Sequence, residues 1–176
     1  MIPISRASLL GASSAVALVG MPLMTRLVDA ATFADPADVA ALNAQIELER
    51  AGIKAYADAA ATGLLDASLL AVAGRFASDH VAHREALGAA VVAAGGRPSE
   101  QTVALVYPTL ATKSDVLEFA LTVERKAAST YLSIVSDLKD RKLAELVASI
   151  LGVETTHVAL LASALGKTVY ASAFVG

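Results

Sequence analysis

The chain of 176 residues contains no cysteine, and aromatic residues make up only 5% of it. The absence of cysteine excludes disulfides, zinc knuckles and thiolate nucleophiles, so histidine and carboxylate side chains must hold any bound metal. Because aromatics are rare, the hydrophobic share of 56% is mostly alanine, leucine and valine. Alanine and leucine are strong helix formers, and few segments resemble strands. The composition therefore predicts an all-α protein.

Neither sign of charge is concentrated along the chain. The net charge is −3 with acidic and basic residues interspersed, and without a basic stripe we expect no binding to nucleic acid. The length is that of one domain with a sizeable core. Three histidines are present, and two of them lie three residues apart in SDHVAHREAL, residues 78–87.

Residues 1–30 differ from the rest and are similar to an export signal. Arg6 precedes an apolar run over 9–24, and Ala30 suits signal peptidase cleavage. The run is shorter than the roughly 20 residues of a spanning helix, so we expect no stable membrane span after cleavage; the alternative is an uncleaved anchor. The opening SRASLLG is similar to a twin-arginine signal, with Ala7 where the second arginine would stand. The sequence predicts a periplasmic or otherwise extracytoplasmic protein.

Four helical segments follow this signal. Asp35 and Pro36 provide a cap and a first-turn proline, and Asp66 can cap a second helix. Gly63, the pair at 95–96 and Gly166 mark helix ends. The predicted helices cover about 36–62, 66–94, 114–138 and 140–165.

The lengths of the connections predict how these helices are joined. The first and third connections are short, which makes the helices on either side antiparallel neighbours. Residues 95–113 contain two prolines and no helical period, and they are long enough to traverse a bundle. The prediction is a four-helix bundle over 36–166, built from two antiparallel hairpins joined by a long crossover, with a C-terminal tail at 167–176.

Each predicted helix has a stripe of apolar residues, spaced three and four apart, that would face the bundle axis. Ionisable residues interrupt the four stripes near their middles, so they should converge at one level. Burying three carboxylates there costs several kcal/mol each unless a cation compensates the charge, and a pair of divalent cations would do so. The predicted metal ligands are Glu49, His80, His83, Glu124, Glu154 and His157.

An internal repeat supports this site. LERAGIKAY at 48–56 matches VERKAASTY at 123–131, with Glu-Arg and then a tyrosine seven residues after the glutamate in both. Each glutamate precedes a histidine of the following helix by nearly the same distance, 34 or 33 residues. Two copies of one hairpin would thus form a pseudo-symmetric centre. Tyr56 and Tyr131 are either core residues or groups that support the carboxylates or trap radicals.

The chain resembles the ferritin-like superfamily, in particular its exported bacterial members with signal sequences. The resemblance rests on LNAQIELERAGIKAY in the first helix and on AHREAL followed by GGRP after the second. It implies a ferritin-like four-helix bundle with a glutamate on helices one and three and Glu-x-x-His on helices two and four. Glu49 and Glu124 match the terminal carboxylates, Glu154 and His157 match the second Glu-x-x-His, and His83 matches the other histidine.

His80 departs from this pattern, because it stands where the resemblance implies the first bridging glutamate. Histidine binds one metal through one nitrogen and cannot bridge two, so a mononuclear or asymmetric dinuclear centre is one outcome. The implied metal is Fe or Mn, and Zn or Cu could compete because imidazole suits all of them. Asp79 is a rival ligand to His80. A metal-free network of buried polar groups is the alternative for the whole cluster.

These observations leave two functions open. One is an extracytoplasmic metal-binding protein that carries out metal-dependent oxidation or handles peroxide or iron. The other is a non-catalytic ferritin-like protein of the envelope, structural or stress-associated, with a degenerate metal site. Metal ions are the expected partners, and an alanine-rich helical face also allows a homodimer.

Overall fold

Four α-helices, and no strand, are present in residues 34–169, the part of the chain that the computed structural model describes. The helices are α1 Pro36–Ala61, α2 Ala67–Ala93, α3 Lys113–Val135 and α4 Arg141–Ala164. The all-α prediction is confirmed. The export signal predicted at 1–30 lies outside the described residues, as does most of the tail predicted at 167–176.

Side chains that accept backbone N–H groups fix the helix starts, and the two predicted caps, Asp35 and Asp66, are confirmed. The Asp35 carboxylate accepts the N–H of Ala37, and Asp66 caps α2 in the same way. The predicted start of α3 was one residue late. Thr112 is the cap, and the Asp115 carboxylate accepts the Thr112 N–H in return.

The same helix ends earlier than the predicted Leu138. The N–H groups of Ser136 and Asp137 both donate to the carbonyl of Ile134, so the helix ends at Val135. The glycine stop signals are confirmed: Gly95 and Gly166 have φ of 81° and 67°, a left-handed conformation that glycine adopts without strain.

The helices pair as the connection lengths predicted. α1 packs on α2 and α3 packs on α4, and the two hairpins meet mainly through α1 and α3. The crossover runs along α1: Asn43 binds the carbonyl of Arg97 and the N–H of Ser99, and Glu47 binds the Ser99 hydroxyl. Farther along, the Tyr107 hydroxyl donates to Asp58.

Two apolar clusters fill the bundle axis, one on each side of its middle level. One includes Phe76, Leu117 and Leu161, and the other includes Leu42 and Val147. Each helix contributes buried apolar residues to both clusters, one on each side of its middle. The middle level is therefore where buried polar groups can lie.

By length and composition alone, α4 could span a membrane, and it is the one helix among the described residues of which this is true. The core helices of folded bundles can be equally long and apolar. In this structure α4 packs on α3 and buries Glu154 and His157.

Asp38 joins the two hairpins at one end of the bundle in a way that the sequence did not reveal. It is 2% exposed, and its carboxylate accepts the backbone N–H groups of Lys139 and Asp140 in the turn between α3 and α4. Asp38→Ala would remove the charged acceptor of both half-buried N–H groups, so we expect the free energy of unfolding to fall by about 1–3 kcal/mol. Urea unfolding measures this, with exposed Asp137→Ala as the control. Equal stability of the two variants would contradict the assigned role.

Candidate metal centre

The six ionisable residues predicted to face the bundle axis lie together at its middle level. Each is at most 8% exposed. Helices α1 and α3 supply one each, and α2 and α4 supply two each. The structure thus brings together Glu49, His80, His83, Glu124, Glu154 and His157.

Their ligand atoms form two overlapping groups. Within each group, one atom from each of four residues lies within 4.8 Å of the other three. One group is Glu49, His80, His83 and Glu154, and the other is His80, Glu124, Glu154 and His157. His80 and Glu154 belong to both groups, so they occupy the shared centre.

Glu154 is buried without a hydrogen-bond partner on either carboxylate oxygen. His83 Nδ1 lies 2.9 Å from Glu154 Oε1, but not at the angles of a hydrogen bond, and this nitrogen is also unpartnered. His157 Nδ1 lies 3.7 Å from the other oxygen. Burial, opposed by the histidines and reinforced by Glu124, raises the pKa of Glu154 above its ordinary value. Burial lowers the pKa of both His83 and His157, but the neighbouring carboxylates outweigh this effect and raise the pKa to about 9, yet neither imidazole forms a hydrogen bond with Glu154.

His80 lies between two carboxylates from different hairpins. Its Nδ1 is 2.6 Å from Glu49 Oε2, and its Nε2 is 3.2 Å from Glu124 Oε1. Burial lowers the pKa of the imidazole, but the hydrogen bonds to Glu124 and Glu49 outweigh this effect and raise the pKa to about 11. In the absence of metal, His80 is therefore a buried cation that compensates two carboxylates.

The two repeat tyrosines connect the hairpins to each other. The Tyr131 hydroxyl donates to Glu49, and the Tyr56 hydroxyl donates to Glu124. Burial and the charge of the facing glutamate raise the pKa of both tyrosines well above the ordinary value, so both hydroxyls remain donors. Each carboxylate is thereby oriented by the helix that carries the other one.

Asp79, the rival ligand in the sequence, contacts the outer side of His157. Its Oδ2 is 3.3 Å from His157 Nε2, and its Oδ1 is 2.9 Å from Arg75. It belongs to neither group of candidate ligands. A carboxylate on the second nitrogen of a histidine fixes the ring and raises its basicity as a ligand.

The other half of the pseudo-symmetric centre lacks this support. Asp79 precedes His80 in the chain, whereas Val153 precedes Glu154. Valine cannot accept a hydrogen bond from His83, the counterpart of His157. The two halves of the candidate centre therefore differ at the residue beside the histidine, Asp79 or Val153, as well as at His80.

Gly52 is a residue of the site that sequence analysis missed. It is buried in α1, and a Cβ added to it would lie 3.0 Å from atoms of the His80 ring. Only a residue without a side chain lets the ring pack this close to the helix. A glycine in the interior of a predicted helix was the available signal.

A bundle of two helical hairpins, joined by a long crossover and centred on buried glutamates and histidines, defines the ferritin-like class. Residues 37–167 match the Ferritin-like domain family, and the chain belongs to that family. No curated protein matches the chain in sequence.

Solved structures share the fold at low sequence identity. The bacterioferritin of Rhodobacter capsulatus superposes with a TM-score of 0.68 at 19% identity, covering 75% of this chain and 85% of its own. BfrA from M. tuberculosis gives 0.69 at 20% identity, with coverages of 75% and 84%. Ferritin-like diiron-carboxylate proteins from Bacillus anthracis give 0.63 at 22% identity, with coverages of 73% and 95%.

The close packing of Gly52 on His80 can be tested by adding one methyl group. We expect Gly52→Ala to lower the free energy of unfolding by about 1 kcal/mol or more, because the core must shift to accept the Cβ. Gly152→Ala in α4 is the matched control: its Cβ would meet no atom within 4 Å, so better helix propensity should stabilise the protein by about 0.5–1 kcal/mol. Urea unfolding compares the two variants. If both variants stabilise the protein equally, the close packing of Gly52 on His80 is contradicted.

Proposed function

We propose that this is an extracytoplasmic ferritin-like protein that binds a divalent metal at the middle of its bundle and uses it in oxidation or in peroxide or iron handling. The observation that carries the proposal is Glu154, whose two oxygens are buried and unpartnered beside His83 and His157. A buried carboxylate in this state costs several kcal/mol unless a cation binds it.

The donor set fits such an ion. Three carboxylates and three imidazoles form two groups of four whose ligand atoms lie within 4.8 Å of one another, and the unpartnered nitrogen of His83 lies 2.9 Å from Glu154. Mixed carboxylate and imidazole ligands suit Fe and Mn, and the high share of imidazole also accommodates Zn or Cu. A bound Fe or Mn would supply one-electron redox chemistry at this site.

The two halves of the centre would bind unequally. Glu154 is the one central carboxylate able to bridge two ions, because His80 occupies the other central position. The half with Glu124 and His157 has the stronger ligands, since Asp79 supports His157. We therefore propose that one ion binds tightly there and that a second ion binds weakly beside Glu49 and His83.

The sequence of residues 1–30 and the structural neighbours support the finer parts of the proposal. Export rests on the signal-like composition of residues 1–30. A dinuclear site is named for the Rhodobacter capsulatus bacterioferritin, and the Bacillus anthracis proteins are described as diiron-carboxylate proteins. In this chain the tyrosine hydroxyls on Glu49 and Glu124 would hold those carboxylates in place for a metal.

A non-catalytic envelope protein is the second candidate, and one observation favours it. His80 already pairs with Glu49 and Glu124, so two of the three carboxylates are compensated without metal. This alternative predicts that metal raises the melting temperature while O₂ and peroxide are not consumed. Peroxide consumption that is lost in His83→Ala would contradict it.

The primary test is metal stoichiometry. Wild-type protein loaded with Fe(II), Mn(II), Zn(II) or Cu(II) and then dialysed should retain about one ion per chain by elemental analysis. Glu154→Ala should lower the affinity by about tenfold or more, because it removes the central ligand. Glu145→Ala, an exposed glutamate of the same helix, should bind like wild type. Weak binding of every metal, equal in the wild type and Glu154→Ala, would refute the proposal.

The position of His80 gives a second test, with a gain of binding as its readout. His80→Glu supplies a second bridging carboxylate and removes the buried cation, so the number of tightly bound ions should rise from about one toward two. His80→Gln removes the imidazole without adding a charge and is the matched control. Elemental analysis and metal-dependent thermal shifts measure both variants. An equal stoichiometry in both variants would contradict the assigned role of this position.

A further inference from the structure

A cavity of about 650 Å³ lies between α1, α3 and the crossover, apart from the apolar clusters of the bundle axis. Residues 103–109 form its outer wall, and its inner end reaches Glu49 and His80. Its volume is in the range of pockets that enclose a small organic molecule, roughly 300–1,000 Å³. The cavity thus connects the protein surface to the wall of the candidate metal centre.

We propose that this cavity binds a single-chain fatty-acid anion, with the alkyl chain inside and the carboxylate at Lys126. The proposal goes beyond the proposed function, because it requires no bound metal. It assigns a ligand site to the crossover side of the bundle, where the family match and the fold assign none.

The walls of the cavity select an apolar ligand. Most of the lining residues are aliphatic or aromatic and come from α1, the crossover and α3, including Val103, Leu105, Tyr107, Phe119 and Val123. Val103 and Tyr107 are 39% and 38% exposed, so an alkyl chain lying against them would cover apolar surface that water now contacts. Burial of such surface is favourable by about 25 cal/mol per Å².

The charges that line the cavity select an anionic head group. Glu49 is bound by His80 and Tyr131. Asp115 is engaged in the cap of α3, and Glu118 pairs with Lys167. Lys126 is exposed and forms no ion pair with any residue in the described part of the chain. It is the lysine among the lining residues, so an anion at the mouth would find an unengaged partner.

Gly52 makes the inner end reachable. It lines the cavity, and its missing side chain brings the His80 ring to the cavity wall. Two bonds hold the outer wall in position. Between Val103 and Tyr107 the crossover is held to α1 by the Val103 N–H on the Glu47 carbonyl and by the Tyr107 hydroxyl on Asp58.

Calorimetric titration of the metal-free full-length protein with decanoate tests the proposal. We expect saturable binding of about one decanoate per chain. Val123→Trp fills the cavity and should weaken this binding by about tenfold or more. Leu132→Trp is the matched control, because Leu132 lies on the same helix, is 38% exposed and does not line the cavity. It should bind decanoate like wild type.

The head group is tested with Lys126→Ala and the neutral probe 1-decanol. The variant should bind decanoate about two- to fivefold more weakly, as expected for one exposed ion pair, and should bind 1-decanol unchanged. Lys142→Ala, an exposed lysine outside the cavity, should change neither affinity. A parallel loss for both probes in Lys126→Ala would overturn the assignment of the carboxylate.

Two further outcomes would overturn the proposal as a whole. One is decanoate binding that is absent or unaffected by Val123→Trp. The other is a homodimer that Val123→Trp dissociates while decanoate does not bind, measured by light scattering after gel filtration. In that case a second copy of the chain, and not a fatty acid, covers the cavity. Failure of metal binding leaves the decanoate result intact, so the two proposals are separable.

Discussion

Glu49, Glu124 and Glu154 lie in the middle of an apolar helix bundle, where an uncompensated negative charge is strongly unfavourable. Hydrogen bonds from Tyr131 and Tyr56 and the imidazole of His80 compensate the first two. Glu154 has no such partner. Among the three carboxylates, Glu154 is therefore the one whose oxygens accept no hydrogen bond and are available to a cation, which is the physical basis for regarding the cluster as a candidate metal centre.

The two hairpins repeat one design and stabilise each other through it. Each glutamate is held by the tyrosine of the opposite hairpin, so neither half of the centre is complete alone. The two copies differ at two positions. His80 is the repeat counterpart of Glu154, and Asp79 is the repeat counterpart of Val153. These differences place an imidazole where the repeat counterpart is a carboxylate and leave one histidine without a carboxylate on its second nitrogen, which is why we propose that two metals would bind unequally.

Much of the fold and of the cluster could be predicted because both depend on local regularities. The 3.6-residue period identifies inward-facing residues, and the Glu-to-Tyr spacing of the repeat showed that both hairpins contribute alike. Local rules were insufficient at the start of α3, where Ser114 and Thr112 are both good caps and the Asp115 side chain decides between them. They also failed for Asp38, whose partners are about a hundred residues away.

The sequence by itself determined the four helices, their pairing and the set of ionisable residues at the bundle axis, because helix periodicity and connection length are properties of the chain alone. Only the tertiary structure decided which atoms face each other: that Asp79 contacts the outer nitrogen of His157, that Glu154 is left without a partner, and that Gly52 opens His80 to a cavity under the crossover. These contacts depend on how helices distant in sequence approach one another, which no local pattern encodes.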